Sequence, residues 1–224
     1  VRLKAARASA HIGGPEAFAA AFGVSRETVD RLILYESLLR RWQRVVNLVA
    51  PSTLKDVWHR HFADSAQLLA LVPPVARSLA DLGSGAGFPG LVLAIMLAER
   101  RPVRVWLIES DQRKAAFLAE VSRQVGVPVD ILSTRIECDE TQASVGQADV
   151  VTARALAPLG RLLGLAAPLF GPDTLGLFLK GRNAASEIEA ARADWRFDVE
   201  LVPSATEPRG SVVVIRHLTG KTGG

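Results

Sequence analysis

The stretch SLADLGSGAGFPG, from Ser78 to Gly90, decides the fold. It opens as a short apolar strand pattern, breaks into glycines at positions 83, 85, 87 and 90, and hands over to the apolar run Leu91 to Ala98. Glycine lets a backbone turn sharply and lets a ligand approach it closely, so the stretch predicts a strand, a tight turn and a helix in succession. The alternation continues downstream. Strands are expected at 78–82, 103–109 (VRVWLIE), 129–132 (VDIL), 148–153 (ADVVTA) and 174–180 (TLGLFLK), with helices near 89–99, 111–125, 158–169 and 183–194. Strand and helix in turn imply an α/β protein with a mostly parallel sheet covered on both faces. The end differs: FDVELV (197–202) and SVVVIRH (211–217) are separated only by a loop with Pro and Gly, which predicts an antiparallel terminal hairpin.

Upstream of the sheet the pattern is helical. SRETVDRLILYESLLRRWQRVV places Val29, Leu32, Ile33, Leu39, Trp42 and Val46 at helical spacing behind Ser25 as a candidate N-cap. A second helical stretch is expected over 52–71, broken near Ala63 and ended by Pro73-Pro74. The layout is then a helical segment over 1–74, a sheet domain over 75–218 and a flexible tail over 219–224. The first 24 or so residues carry no pattern and are expected to be flexible.

Composition narrows the class. The chain has 224 residues, enough to bury a sizeable core, and no apolar run near the roughly 20 residues of a membrane-spanning helix. The basic N-terminus VRLKAARASAHIGG lacks the apolar middle of a secretory signal, and the single Cys138 allows no internal disulfide. A soluble, cytoplasmic protein is expected. A formal charge of +4 suits a polyanionic partner, with cations gathered at Arg40, Arg41, Arg44, Lys55 and Arg60, and again at Arg100, Arg101, Arg104, Arg113 and Lys114. Solvated helix faces are the plain alternative for both clusters.

The glycine stretch fits two ligands. Gly85, Gly87 and Gly90 satisfy the G-x-G-x-x-G of dinucleotide sites, whereas Asp81, Gly83, Gly85 and Gly87 satisfy the acidic-x-G-x-G-x-G of S-adenosylmethionine sites. A carboxylate at Asp81 repels a pyrophosphate but suits a sulfonium and an ammonium, and the terminal hairpin also favours the second ligand. Glu109, ending the second strand, is placed to accept bonds from ribose hydroxyls in either case. Ile136 and Glu137 follow the third strand and could bracket an adenine. Arg154 and Lys180 follow the fourth and fifth strands, each with a surface cation as the plain alternative.

WHRHFADS (58–65) raises the prospect of a metal. On an α-helix His59 and His61 point about 200° apart and cannot share an ion, so no metal is expected. His61, Asp64 and Ser65 share a face, as do Arg60 and Asp64, and this face either ties the helical segment to the sheet or shapes a substrate pocket.

Taken together, Asn47-Leu48, Trp58-His-Arg-His61, Asp64-Ser65, DLGSGAGFPG, LIESDQRKAAFL, TARALAPL and FLKG resemble, in content and order, the RsmG (GidB) family of bacterial 16S ribosomal RNA guanine-N7 methyltransferases. The likeness spans Asp30 to His217. It implies a Rossmann-like class I methyltransferase sheet using S-adenosylmethionine. It also implies cofactor contacts from Gly83 and Phe88 in the glycine loop, Ile136 and Glu137 on the adenosine side, and Arg154. The implied substrate is guanine 527 of 16S RNA, in the family's nucleotide numbering, in the small-subunit context.

That chemistry suits a sparse site. Guanine N7 carries a lone pair and no proton, so it needs alignment and not a general base, and proximity alone is worth roughly 7 to 11 kcal/mol. Neither the N-P-P-[YF] run used on exocyclic amines nor a Pro-Cys nucleophile is present. No acid or base is therefore expected, and His61, Asp64 and Arg154 are the candidates beside the target base. N7 lies in the deep groove of A-form RNA, so a splayed base is the expected target, with Arg40, Arg41, Arg44, Arg60, Lys180 and Arg209 on the RNA. A monomer is expected. The competing functions are a nicotinamide-dependent oxidoreductase, a non-catalytic RNA-binding module and a metallohydrolase.

Overall fold

A computed structural model describes residues 11–220. Of the tail expected over 219–224, residues 221–224 lie outside the described residues, as do residues 1–10.

A seven-stranded sheet carries the fold, in the order β3-β2-β1-β4-β5-β7-β6. Its strands are β1 (Ser78–Leu82), β2 (Arg104–Ile108), β3 (Asp130–Leu132), β4 (Val150–Arg154), β5 (Leu175–Lys180), β6 (Trp195–Pro203) and β7 (Ser211–Gly220). Only β7 runs against its neighbours β5 and β6, as the hairpin expectation requires. Each predicted strand and crossover helix is present within a few residues. Thr219 and Gly220, placed in the tail by the sequence, pair with Arg196 and Trp195 as the end of β7.

Strand alternation builds two cores. Leu79, Val105, Leu107, Val150, Leu177 and Val214 face one way, onto α4 (Gly90–Ala98) and α5 (Gln112–Val125). Ala80, Leu82, Trp106, Val151, Phe178 and Val213 face the other way, onto α7 (Leu159–Ala166) and α8 (Ala184–Ala191). A short helix absent from the expectation, α6 (Asp139–Val145), adds Val145 to the second core. The sequence there offers too few apolar positions to show a period.

The helical segment belongs to the first core and is not a separate body. In α2 (Arg26–Trp42), Ser25 caps the helix by accepting from the Thr28 N–H at 3.0 Å. The buried stripe is Thr28, Leu32, Tyr35, Leu38 and Leu39, whereas Ile33, counted among the apolar positions, is 42% exposed. The stretch expected to be one broken helix is four short pieces. A 3₁₀ turn (Pro51–Asp56), a π-helical turn (Trp58–Ala63), α3 (Asp64–Ala66) and a second 3₁₀ turn (Gln67–Ala70) succeed one another. The opening residues also depart from expectation: α1 (Pro15–Phe22) is ordered, with Phe18 fully buried against Phe22 and the edge of Trp58.

Truncating a fully buried phenylalanine removes its transfer energy and leaves a cavity. Phe18→Ala is therefore expected to lower unfolding free energy by about 3 to 5 kcal/mol in urea titration. A change near zero would mean that α1 is not docked in solution.

Candidate active site

The strand order reverses direction of growth between β1 and β4, and open α/β sheets bind ligands outside the carboxyl ends of the strands at that point. The glycine loop sits there. Gly83 has φ of +63°, and a Cβ on it would stand 2.6 Å from Leu156 Cδ1 in the loop after β4. Glycine thus lets the two loops close on each other. Gly90 starts α4 so near the sheet that a Cβ would meet Asp81 Cγ at 2.7 Å and Leu107 Cδ2 at 2.6 Å.

Several of the loop's own N–H groups are already engaged. Gly85 N–H donates to Glu109 Oε2 at 2.8 Å, and those of Gly87 and Phe88 donate to the Ser84 carbonyl at 2.7 and 3.2 Å. A pyrophosphate needs such donors free, so the geometry disfavours a dinucleotide. Glu109 closes the strand ends by accepting also from Asp111 N–H at 2.8 Å, which leaves each carboxylate oxygen a further acceptor position. Below the loop, Tyr35 of α2 donates its hydroxyl to the Ala86 carbonyl.

Two adjoining cavities open above these strand ends. The first, about 460 Å³, is lined by Gly83, Gly85, Phe88, Glu109, Ile136, Glu137 and Arg154 among others. Seven of the expected ligand-binding residues therefore come together. Two do not. Gly87 turns inward, where a side chain would collide with the Tyr35 hydroxyl. Asp81 is fully buried beneath the loop and not exposed to the cavity. It accepts from Thr152 Oγ1 at 2.7 Å across the β1–β4 pair, while its other oxygen has no hydrogen-bond partner among the described residues. Burial raises its pKa to about 6, against the hydrogen bond from Thr152.

The second cavity, about 630 Å³, is lined by Arg60, His61, Asp64, Arg154, Lys180, Glu187 and Glu207 among others. Leu48, Arg154, Ala155 and Leu156 line both cavities and form the wall between them. Arg154, the last residue of β4, is held at several points. Its Nη1 donates to the Arg60 carbonyl at 3.0 Å and to Asp64 Oδ2 at 3.3 Å, its Nη2 meets His61 Nδ1 at 2.8 Å, and its guanidinium lies 5.0 Å from the centre of the Phe88 ring. Since a guanidinium only donates, His61 Nδ1 is the acceptor and Nε2 carries the proton, which goes to Thr53 Oγ1 at 2.8 Å. Thr53 passes its own hydroxyl hydrogen to the Ala50 carbonyl at 2.8 Å. Burial, then the charges of Arg154 and Arg60, lower the His61 pKa to about 3, so the imidazole stays neutral.

The remaining candidates are dispersed. Arg60 pairs with Glu207 at 2.7 Å and not with Asp64, whose carboxylate accepts from Thr206 Oγ1 at 2.6 Å and Gln67 Nε2 at 2.9 Å as well as from Arg154. Lys180, expected to face the RNA with a surface cation as the plain alternative, donates to the Ala157 carbonyl at 2.5 Å and to Glu187 Oε2 at 2.8 Å. Arg40 is held by Glu36 at 2.7 Å and by the Leu54 carbonyl, whereas Arg41, Arg44 and Arg209 are exposed outside both cavities. His59 and His61 serve different partners, since His59 bonds to the Ile12 N–H and the Thr206 carbonyl. Among the described residues no cluster of His, Cys, Asp or Glu is placed to hold a metal ion.

Several residues were not singled out from the sequence. Gln43 clamps the loop after α2 through Leu48 N–H, Val49 N–H and the Val49 carbonyl, which sets Leu48 into the shared wall. Thr53, Leu156, Glu187 and the cations Arg135 and Arg161 also line the cavities, beside Lys114 of the second cation cluster. Only the distances across the fold reveal them.

The neutral His61 has a measurable signature. Its folded pKa lies below the 6.5 of an exposed imidazole, so the unfolded chain takes up the proton first and stability is lost as pH falls from 6.5 towards 3. Asp81, raised from 3.8 to about 6, acts oppositely and adds stability as pH falls through 6. Between pH 7 and 5 the histidine's share of the loss is about 2 kcal/mol. His61→Gln is expected to remove that share in urea unfolding at the two pH values; an unchanged pH dependence would place a charged imidazole in the fold.

Comparison with known proteins agrees with this geometry. Over residues 28–217 the chain matches the model of the GidB family, rRNA small subunit methyltransferase G. It is 54% identical over 216 residues to the ribosomal RNA small subunit methyltransferase G of Parvibaculum lavamentivorans, covering 94% of this chain and 95% of that one. The protein of the same name from Rhodospirillum centenum is 57% identical over 201 residues, covering 90% and 89%. Among solved structures, an SAH-bound methyltransferase from Podospora anserina superposes with a TM-score of 0.58 over 90% of this chain and 94% of its own, at 13% identity. A methyltransferase from Geobacter sulfurreducens gives 0.55 over 92% and 97%, at 14% identity. At such identities these two bear on the fold alone, which is that of the class I methyltransferases. With the strand order, the paired cavities and a family match over most of its length, the chain belongs to the rRNA small subunit methyltransferase G family.

Proposed function

We propose that the protein transfers a methyl group from S-adenosylmethionine to N7 of guanine 527 of 16S ribosomal RNA, in the family's nucleotide numbering, in the small-subunit context. The observation that carries this reading is the pair of cavities meeting at Arg154, where the side chains gathered around it are already hydrogen-bonded. Three side chains there are already bonded: Arg154 to three partners, His61 through both ring nitrogens, and Asp64 through both oxygens. A nucleophile that must first lose a proton finds no free acceptor among these three. The lone pair of guanine N7 needs none.

The residues of the first cavity fit the cofactor. Glu109 keeps acceptor positions for two ribose hydroxyls, Ile136 offers an apolar face for a purine, and the Glu137 region closes the adenosine side. When bound, S-adenosylmethionine supplies an electrophilic methyl carbon on a sulfonium. The chain's task is alignment: Arg154, fixed over Phe88, forms the boundary at which a base in the second cavity faces the first, and Leu48 and Leu156 exclude water beside it. His61 and Asp64 shape the base pocket by holding Arg154.

RNA phosphates are assigned to the exposed cations. Arg41 and Arg44 at the end of α2 and Arg209 in the β6–β7 loop offer charge to solvent, Arg40, Arg60 and Lys180 less so because each is internally bonded. The helical segment to residue 74 thereby serves as a wall of the base pocket and as a phosphate surface. One chain lines both cavities, so a monomer suffices, and a cytoplasmic site of action follows from the substrate.

Labelled S-adenosylmethionine incubated with unmethylated 16S RNA and, separately, with small subunits is expected to give one aniline-sensitive N7-methylguanine. Label only on an exocyclic nitrogen, or on no base, would overturn the assignment. Charge reversal of Arg40, Arg41 and Arg44 together is expected to weaken RNA binding and flatten its log–log salt slope by roughly 1 for each phosphate no longer neutralised. An unchanged slope would remove α2 from the RNA surface.

A further inference from the structure

The second cavity holds a charged pair whose placement goes beyond alignment of N7. Glu187, in the first turn of α8, uses Oε2 twice: it accepts from the Leu159 N–H at 2.8 Å and from Lys180 Nζ at 2.8 Å. Its other oxygen, Oε1, makes no hydrogen bond to the described residues, and the side chain keeps 27% of its exposure on the cavity wall. Lys180 is the matching half. Its ammonium spends two hydrogens on the Ala157 carbonyl and on Glu187, and a third remains, on a side chain only 10% exposed. The cavity therefore presents an acceptor and a donor side by side, fixed by the backbone at 157 and 159.

Each oxygen of the other carboxylates of this cavity already has a partner: Asp64 accepts from Thr206, Gln67 and Arg154, and Glu207 from Arg60 and, at 3.5 Å, the Arg209 N–H. An adjacent acceptor and donor match one edge of one purine. Guanine presents an O6 acceptor beside an N1–H donor, and adenine presents the reverse, an N6 donor beside an N1 acceptor. We infer that Glu187 and Lys180 select guanine by its Watson–Crick edge, with Glu187 Oε1 accepting from N1–H and Lys180 Nζ donating to O6, while N7 on the opposite side of O6 is left clear for the methyl. This rests on the N7 reading above. It makes Glu187 a specificity-determining residue and gives the internal bonding of Lys180 a purpose: the pair is held rigid so that adenine, with both polarities inverted, is rejected. Sites that hydrogen-bond a substrate's polar edge reject analogues lacking it far more strongly than apolar pockets reject a change of size.

The test uses Glu187→Gln, whose amide oxygen can keep the bonds to Leu159 and Lys180 while its NH₂ replaces the free acceptor with a donor. Small subunits carrying either guanine or 2-aminopurine at the target position are methylated by both proteins, and kcat/KM is compared. 2-Aminopurine keeps N7 and the 2-amino group but lacks O6 and N1–H. The wild type is expected to prefer guanine by on the order of 100-fold, and Glu187→Gln to shrink that preference to a few-fold, with a melting temperature within a few degrees of wild type. Intrinsic differences in N7 reactivity cancel in the ratio of ratios. An undiminished preference in the variant would make Glu187 a mere staple, and equal methylation of both bases by the wild type would show that the edge is not read; either overturns the inference while leaving N7 methylation standing. Absence of N7-methylguanine from the wild-type reaction would instead overturn the underlying reading, and this inference with it.

Discussion

The site depends on how one guanidinium is held. Arg154 ends the central strand β4 at the switch point, and its bonds to Asp64, His61 and the Arg60 carbonyl fasten the sheet to the irregular helical stretch that covers it. An arginine left free in a cleft would contribute little order and an uncompensated charge. Here it meets one carboxylate, one neutral imidazole and one aromatic face, so its position is over-determined. The neutrality of His61 is part of this arrangement, because an imidazolium beside the guanidinium would repel it.

The same economy governs the basic residues. A net charge of +4 suggests an open cationic surface, but much of the arginine and lysine near the cavities is consumed within the protein. Arg40 braces Glu36, which also receives the Trp58 indole N–H at 2.7 Å, and Lys180 braces Glu187. These cations shape walls. Exposed residues such as Arg41, Arg44 and Arg209 are left to act at longer range, where salt screens them.

Local pattern makes the sheet legible in the sequence. Alternation of period 2 and 3.6 locates every strand and the main crossover helices, and the chemistry of Glu109, Phe88 and Ile136 as cavity residues follows from their places at strand ends. The sequence misleads where partners come from far away. Asp81 reads as a ligand group and is a buried strut on Thr152; Arg60 reads as the i, i+4 partner of Asp64 and instead reaches Glu207, 147 positions on. Gln43 and Glu187 carry no motif at all, since their importance lies in which backbone groups a fold brings to them. The π-helical turn over Trp58–Ala63 is likewise hidden, because its side chains are ordinary for an α-helix and only their joint burial distinguishes it.

Tyr35 joins the helical layer to the glycine loop, with its ring stacked 5.5 Å from that of Phe88 and its hydroxyl on the Ala86 carbonyl. The loop that cradles a ligand is thus the roof of the core that α1 and α2 complete. Free energy released on one side is felt on the other: a ligand that stiffens residues 83–88 also raises the cost of opening α2, by an amount growing with the logarithm of its concentration above Kd. The layer that resembles an attachment is therefore thermodynamically continuous with the site. A shortened protein lacking it would keep every strand of the sheet and lose the floor on which its ligand loop stands.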